Sequence, residues 1–123
     1  MLNQPRTQKL IPMKLQIKQE GIIHYVNTEE VVYCKADRAY CTIFFLNDEE
    51  LICSKPLSEI SKLLRQPYFV RIHDSFLVNL HFVKKQISSN CKLHVLMSNG
   101  EKLPVARRKK SIFQQAMNKF LSK

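Results

Sequence analysis

Two short segments of this chain carry side chains that could do chemistry. In residues 68–79, the polar run Arg71-Ile72-His73-Asp74-Ser75 interrupts two apolar, strand-like stretches. In residues 103–110, an apolar stretch runs directly into Arg107-Arg108-Lys109-Lys110. Polar loops on rigid strands commonly carry binding residues, and the unpaired N–H groups at a helix start favour anions. The first segment therefore indicates a functional loop, and the second indicates a site where a phosphate could bind.

The sequence lacks the usual signatures of catalysis. It has no glycine-rich phosphate loop, no Gly-x-Ser-x-Gly elbow and no His-Glu-x-x-His motif. The acidic runs Glu29-Glu30 and Asp48-Glu49-Glu50 fall at predicted turns, where carboxylates are ordinarily solvated. His24, His81 and His94 have no partner at a metal-ligand spacing, which favours partly buried or surface histidines. We therefore expect a protein that is not an enzyme and has neither cofactor nor metal.

The cysteines are spaced unlike metal ligands. Cys34, Cys41, Cys53 and Cys91 include no Cys-x-x-Cys pair, whereas zinc ligands usually come in close pairs. Each cysteine lies in or beside a strand-like run. Small buried thiols are therefore favoured over a metal site or two disulfides.

The positive charge is concentrated late in the chain. Twenty Lys and Arg residues outnumber ten Asp and Glu residues, which gives a formal net charge of +10. Residues 102–123 contain seven basic and no acidic side chains, whereas residues 20–54 contain two basic and seven acidic ones. Such a protein attracts a polyanion to one face and repels it from another. A solvated helix face is the alternative, but four consecutive cations repel one another and an anionic partner relieves that repulsion.

Length and hydropathy indicate one soluble domain. The chain has 123 residues, of which 45% are hydrophobic, enough for a packed core. No apolar run approaches the roughly 18 residues that span a bilayer, and residues 1–12 do not resemble a secretory signal. We expect a cytoplasmic protein with no membrane partner. Residues 1–13 are expected to be a linker or disordered lead-in, and residues 14–123 the domain.

Alternating apolar residues predict a mostly β domain. The strand-like runs are rich in β-branched and aromatic residues. They span residues 15–17, 22–26, 31–34, 40–46, 51–53, 69–72, 76–80, 83–87, 92–97 and 101–105. Asn99-Gly100 is the strongest hairpin signal and predicts positive φ at both central residues, and Ser88-Ser89-Asn90 is a looser version. Lys35-Ala36-Asp37-Arg38 is expected to be a polar loop.

Two helices are predicted among these strands. A short central helix begins after Ser54, its predicted N-cap, and ends before Pro67. A C-terminal helix covers about residues 109–121. The apolar face is Leu57, Ile60, Leu63 and Leu64 in the first helix, and Ile112, Phe113, Ala116, Met117, Phe120 and Leu121 in the second.

The two polar segments and their surroundings resemble the LytTR DNA-binding domain family. The resemblance rests on Phe-x-Arg-x-His-x-Ser-x-x-Val-Asn at residues 69–79, and on Asn-Gly followed by Leu-Pro-Val-x-Arg-Arg within residues 99–108. Val-Val-Tyr-Cys-Lys-Ala-Asp-Arg-Ala-Tyr at residues 31–40 and Pro-Leu-Ser-Glu-Ile at residues 56–60 are similar to the family too, in the same order. The likeness covers about residues 15–121.

The resemblance implies an elongated stack of short antiparallel sheets, about ten strands in all, with one short central helix and one C-terminal helix. It implies a transcription regulator whose loops enter successive major grooves of double-stranded DNA. Members of the family usually bind paired direct repeats in promoters as dimers, bend the duplex and form the C-terminal module of response regulators. No receiver domain fits in 123 residues. The chain is therefore either a fragment of a two-component regulator or a free-standing regulator.

The same resemblance assigns expected roles to individual residues. Three side chains are expected to read bases: Tyr40, Asp74 and Arg107. Eight are expected to bind phosphates: Arg38, Lys55, Arg71, His73, Ser75, Arg108, Lys109 and Lys110. Arginine suits base reading because its guanidinium fork can donate to O6 and N7 of guanine together.

Asp74 departs from the family, which commonly has arginine, lysine or asparagine at that position. A carboxylate near phosphates is unfavourable unless it accepts from cytosine N4 or pairs with Arg71 or Arg107. Arg71 is therefore open to two interpretations, a DNA contact or a fold-stabilising ion pair with Asp74.

Two other functions fit the composition. An RNA-binding β-module would use the same positive charge and would stack bases on Tyr40 or Phe76. A protein-interaction module would present the acidic residues 20–54 to a basic partner.

Overall fold

Residues 14–122, which the computed structural model describes, form the predicted mostly β fold of ten strands and two helices. The strands are β1 (Lys14–Gln19), β2 (Ile22–Asn27), β3 (Val31–Asp37), β4 (Tyr40–Phe45), β5 (Glu50–Cys53), β6 (Phe69–His73), β7 (Phe76–Asn79), β8 (Val83–Ser89), β9 (Lys92–Met97) and β10 (Lys102–Val105). The helices are α1 (Leu57–Leu63) and α2 (Lys110–Leu121). Single 3-10 turns cover Thr28–Glu30, Leu80–Phe82 and Arg107–Lys109. The lead-in predicted for residues 1–13 lies outside the described residues.

The strands form three antiparallel sheets. β1 pairs with β2, the central sheet has the order β5-β4-β3-β7-β6, and the third sheet has the order β10-β9-β8. Among the strands of residues 14–122, only the pairing of β3 with β7 joins strands that are not consecutive in the chain. Short turns therefore make most of the connections, as antiparallel neighbours allow.

Both faces of the central sheet are covered by apolar side chains, which gives the domain two cores. Successive residues of β7 point to opposite faces, so Leu77 lies in one core and Val78 in the other. The first core lies between the central and third sheets and includes Phe113 of α2. The second core packs the β1–β2 hairpin and α1 on the opposite face and includes Ile17 and Ile60. Full burial of side chains this size contributes roughly 1.5 to 3 kcal/mol each.

The central helix is shorter than predicted and has a different N-cap. α1 begins at Leu57, and the residue at its N-cap is Pro56, which is extended and makes no side-chain cap hydrogen bond. Ser54 as the cap is wrong because α1 begins three residues after it. The Ser54 backbone N–H instead donates to Gln19 Oε1 at 3.1 Å. Ser54 thus belongs to the junction with the β1–β2 hairpin. Leu63, predicted on the buried face, is 39% exposed.

The C-terminal helix has the predicted position but a narrower buried face. α2 starts at Lys110, since Arg107–Lys109 forms a 3-10 turn before it. Phe113 is fully buried in the first core, as predicted. Ile112 and Leu121, predicted in the apolar stripe, are exposed. Ile112 is offset by about 100° from Phe113 around the helix, and Leu121 is the last helical residue.

β3 is longer than predicted. Lys35 continues the strand and pairs with Thr42 of β4 and Phe76 of β7. Only Arg38 and Ala39 make the turn between β3 and β4, and Arg38 has a positive φ of 60°. The predicted four-residue polar loop is wrong, because pairing on both sides of β3 outweighs its polar composition.

The two hairpin turns of the third sheet have the opposite geometries to those expected. Asn90 and Cys91 form a two-residue turn with positive φ at both positions, 53° and 63°. In the β9–β10 connection only Gly100 has a positive φ, 93°, and the Asn99 side chain accepts the Glu101 N–H at 3.2 Å. This connection is longer than two residues, so it does not need positive φ at both central positions.

Three of the four cysteines are buried thiols, as predicted. Cys34, Cys41 and Cys53 belong to the second core, and all four cysteines are free. Burial raises the pKa of Cys53 to about 11. The prediction is wrong for Cys91, which is exposed because it lies in the β8–β9 turn.

Candidate nucleic-acid interface

Six connections lie together at one end of the strands. In an antiparallel sheet, the end of one strand lies beside the start of its neighbour. The ends of β3, β6, β8 and β10 therefore lie beside the starts of β4, β7 and β9. We call this end the basic edge. Its residues are Glu20-Gly21, Arg38-Ala39-Tyr40, Ser54-Lys55, His73-Asp74-Ser75, Asn90-Cys91-Lys92 and Ala106 to Lys110.

Hydrogen bonds connect the first hairpin to the central sheet at the basic edge. Gln19, at the end of β1, donates from its side-chain amide to the Ile52 carbonyl oxygen at 2.8 Å. The Gln19 side-chain oxygen accepts the Ser54 N–H at 3.1 Å. Within the central sheet, the Ala36 N–H donates to the Ser75 carbonyl oxygen at 2.8 Å, so the β3–β4 and β6–β7 turns are neighbours.

Two further hydrogen bonds connect the third sheet to the same edge. The Ala106 N–H donates to the Ile72 carbonyl oxygen at 2.8 Å, which joins the end of β10 to the end of β6. The ammonium group of Lys110 donates to the Cys91 carbonyl oxygen at 2.9 Å, which joins α2 to the β8–β9 turn. The basic edge is thus a continuous row from the β1–β2 turn to the start of α2.

Arg71 holds the β6–β7 turn through the main chain. Its Nε donates to the His73 carbonyl oxygen at 3.0 Å, and its Nη2 donates to the Asp74 carbonyl oxygen at 2.6 Å. Neither bond goes to the carboxylate of Asp74. The alternative of an Arg71–Asp74 ion pair is therefore wrong: the guanidinium holds the turn through its carbonyl groups, and the Asp74 side chain is exposed.

His73 presents one ring nitrogen to the outside of the turn. Its Nδ1 accepts the Ser75 N–H at 3.0 Å, so the proton of the neutral ring is assigned to Nε2, which remains a donor. The ring lies against Phe76, with centroids 5.7 Å apart. His73 is half-buried, and its hydrogen bond with the turn that follows it fixes the orientation of the ring.

A cleft brings His73 and Arg107 together across the boundary between two sheets. Its volume is about 340 Å³, and its walls come from the end of β6, the start of β9, the end of β10 and the start of α2. Lys110 lies on the same wall as Arg107. Lys92 and His94 also line the cleft, and sequence reasoning missed both. Only the pairing of β9 with β10, which sets Leu93 opposite Val105, places them there.

The structure brings ten of the eleven predicted site residues to the basic edge, and the eleventh, Arg71, lies on β6 two residues before it. Tyr40 is 53% exposed beside the β3–β4 turn, and Arg38 is exposed within that turn. Lys55 is half-buried between β5 and α1. Arg107 and Arg108 are exposed, whereas Lys109 and Lys110 are half-buried.

The opposite end of the strands is acidic. Six of the ten carboxylates of the chain lie in or next to its turns: Glu29, Glu30, Asp48, Glu49, Glu50 and Glu101. The Leu46 N–H donates to the Glu30 carbonyl oxygen at 2.8 Å, which joins two of these turns. Burial, and then the charges of Glu101 and Glu50, raise the pKa of Tyr33, which is buried beneath this end. We call this region the acidic end.

Among residues 14–122, no cluster of three or more His, Cys, Asp or Glu side chains is arranged to hold a metal ion. Neither helix in that range is long and apolar enough to cross a membrane.

The three antiparallel sheets and the basic edge define a small β domain whose cationic side chains cluster in its turns. The model of the LytTr DNA-binding domain family matches residues 21–118, and the chain belongs to that family. A solved LytTr DNA-binding domain from Bacillus cereus has the same fold, with a TM-score of 0.71 at 24% identity over 85% of this chain and 95% of that one.

Curated relatives include longer proteins. The chain is 30% identical over 95 residues to the sensory transduction protein LytT of Bacillus subtilis, covering 76% of this chain and 39% of that protein. It is 28% identical over 94 residues to the transcriptional regulatory protein LytR of Staphylococcus aureus, covering 76% of this chain and 38% of that protein. The chain therefore spans less than half the length of these relatives.

Proposed function

We propose that this protein is a sequence-specific DNA-binding transcription regulator that meets double-stranded DNA with its basic edge. The proposal is carried by one observation: main-chain hydrogen bonds make the three connections that carry Tyr40, Asp74 and Arg107 neighbours at the basic edge. Because these turns lie on separate strands, their side chains can reach base edges in the major groove while the strands stay outside it. Tyr40, Asp74 and Arg107 are the proposed base-reading residues.

The proposed phosphate contacts flank the base-reading residues in the same row. They are Arg38, Lys55, His73, Ser75, Arg108, Lys109 and Lys110, with the His73 Nε2–H and the Ser75 hydroxyl as neutral donors. Arg71 is also a proposed phosphate contact, but it has fewer donors for it, since two of its donors are bonded to carbonyl groups of the turn. Phosphate contacts of this kind fix the register of the protein on the duplex.

The family and the relatives support a regulatory setting. LytT and LytR are named for sensory transduction and transcriptional regulation. We propose a cytoplasmic regulator that lacks catalytic activity and in which residues 14–123 form the DNA-binding domain. Two copies bind paired direct repeats and bend the duplex, and a receiver or other input domain supplies the signal.

Selection of bound duplexes from a random pool tests the proposal. We expect an enriched motif, repeated in the same orientation at a spacing of about one helical turn. If six to eight phosphates are contacted, log K should fall with log salt at a slope of about −5 to −7. Binding of single-stranded RNA as tightly as the selected duplex at equal salt would contradict the proposal and favour the RNA-binding alternative. Phe76, one of the two residues that alternative would use for stacking, is half-buried.

A further inference from the structure

A second cationic surface continues from the basic edge along the side of the molecule. A groove lies between β1 and α1 and is lined by Gln16, Lys18, Lys55, Glu59, Lys62 and Leu63. Three of these side chains are lysines and one is a glutamate. Lys55 belongs both to this groove and to the basic edge, so the two surfaces are continuous.

The position of this groove is fixed by the Gln19 hydrogen bonds. They attach the tip of the β1–β2 hairpin to the end of β5, directly beside the segment that leads into α1. Lys18 precedes Gln19 and is exposed on β1. Lys62 is exposed in the last turn of α1 and lines the same groove. Lys18 and Lys62 therefore lie on opposite walls, with the groove open to solvent between them.

We infer that Lys18 and Lys62, together with Lys55, bind the phosphates of duplex DNA that extends beyond the base-reading row. The inference rests on the proposed function and adds a flanking contact to it. Lysine ammonium groups act as mobile point charges that suit a phosphate backbone, and the groove offers no planar fork for a base. Lys18 lies before the family match, which begins at residue 21, so this contact belongs to a strand that the match does not include.

Glu59 allows a second test of the inference, because its charge is opposite to that of the lysines. It is the only carboxylate among the groove-lining residues, and it is exposed. A phosphate that enters the groove is repelled by this charge and attracted by the three lysines. Removal of the glutamate and removal of the lysines should therefore change binding in opposite directions.

The test compares two duplexes that share the motif selected by the wild-type chain. The short duplex ends at the borders of the motif, and the long duplex continues for ten base pairs on each side. The variant K18Q/K62Q should bind the long duplex about threefold to tenfold more weakly than wild type and the short duplex equally well. Its salt slope on the long duplex should be smaller in magnitude by about 1.8, as expected for two phosphates.

Two further variants control this measurement. K84Q/K85Q removes the same charge from exposed residues at the start of β8, away from the basic edge, and should leave both affinities unchanged. Glu59→Gln should bind the long duplex about twofold more tightly, a gain that loss of folding cannot produce.

If K18Q/K62Q loses affinity equally for both duplexes, the lysines do not contact flanking DNA and the inference is wrong. If it behaves like K84Q/K85Q, the groove is a solvated surface and the inference is again wrong. A different result would contradict the proposed function: equal binding of selected and scrambled duplexes by the wild-type chain.

Discussion

The backbone N–H of Ala106 donates to the carbonyl oxygen of Ile72 at 2.8 Å. The next residues along each segment, Arg107 and His73, both line one cleft. A main-chain hydrogen bond therefore sets the position of the proposed base-reading arginine. Side chains can vary on either side of this contact without moving the two loops apart.

Arg107→Ala should weaken binding to the selected motif by about 1 to 3 kcal/mol and relax the preference at one base position, because a bidentate contact to guanine is lost. Mobility-shift titrations with the motif and with single-base variants measure both effects. Arg65→Ala removes an exposed arginine that lies after α1 and should leave both unchanged. Equal losses on the motif and on random DNA would reassign Arg107 to the phosphates.

Arg71→Lys separates the two interpretations of Arg71. Lysine keeps the charge but cannot donate to both the His73 and Asp74 carbonyl oxygens as the guanidinium does. We expect the free energy of unfolding to fall by about 1 to 2 kcal/mol, and specific DNA binding to weaken as the turn loosens. Urea unfolding and motif binding measure these effects. Unchanged stability together with unchanged binding would show that only the charge of Arg71 matters.

Asp74→Asn should change which base is preferred. A carboxylate can accept from cytosine N4, whereas a side-chain amide can pair with N6 and N7 of adenine. Loss of the negative charge should also strengthen binding to random duplexes by about twofold to fivefold. Selection from a random pool with each protein gives the comparison, and Asp48→Asn at the acidic end is the matched control. An identical selected motif would remove Asp74 from the base-reading residues.

Alkaline pH should destabilise the protein through Cys53. Burial raises the pKa of this thiol from 9.0 to about 11, so the folded chain keeps a proton that the unfolded chain releases in this window. The contribution of the protonated Cys53 thiol to the free energy of unfolding is complete below pH 9 and is lost as the pH rises toward 11. At about 1.4 kcal/mol per unit, the loss is about 2 to 3 kcal/mol.

Urea unfolding of wild type and Cys53→Ala between pH 8 and 11 tests this effect. The difference in stability between the two proteins should shrink by that amount as the pH rises. Cys91→Ala removes an exposed thiol and should follow the wild type. A constant difference between wild type and Cys53→Ala would contradict the prediction.

The strands could be predicted from the sequence because each alternates apolar and polar residues over a short range. The same holds for the buried face of α2 around Phe113. Turn geometry is less predictable: the sequence predicts a two-residue turn at Asn99-Gly100, whereas Asn90 and Cys91 form such a turn in the structure. A local signal for a turn does not determine how many residues the flanking strands leave unpaired.

Which residues form the basic edge could be predicted only from the family resemblance, and that prediction was incomplete. Lys92 and His94 join the cleft because β9 pairs with β10, and Lys18 joins the groove because Gln19 bonds to residues 33 and 35 positions further along the chain. Contacts over such separations depend on strand register, which composition does not encode.

The separation of the basic edge from the acidic end makes the molecule an electric dipole whose axis follows the strands. In the field of a polyanion, such a dipole experiences a torque that turns its cationic loops forward before any contact forms. Encounters that begin in the wrong orientation are corrected during diffusion, so productive collisions become more frequent. This advantage depends on long-range forces, and it disappears when added salt shortens their reach to about 10 Å or less.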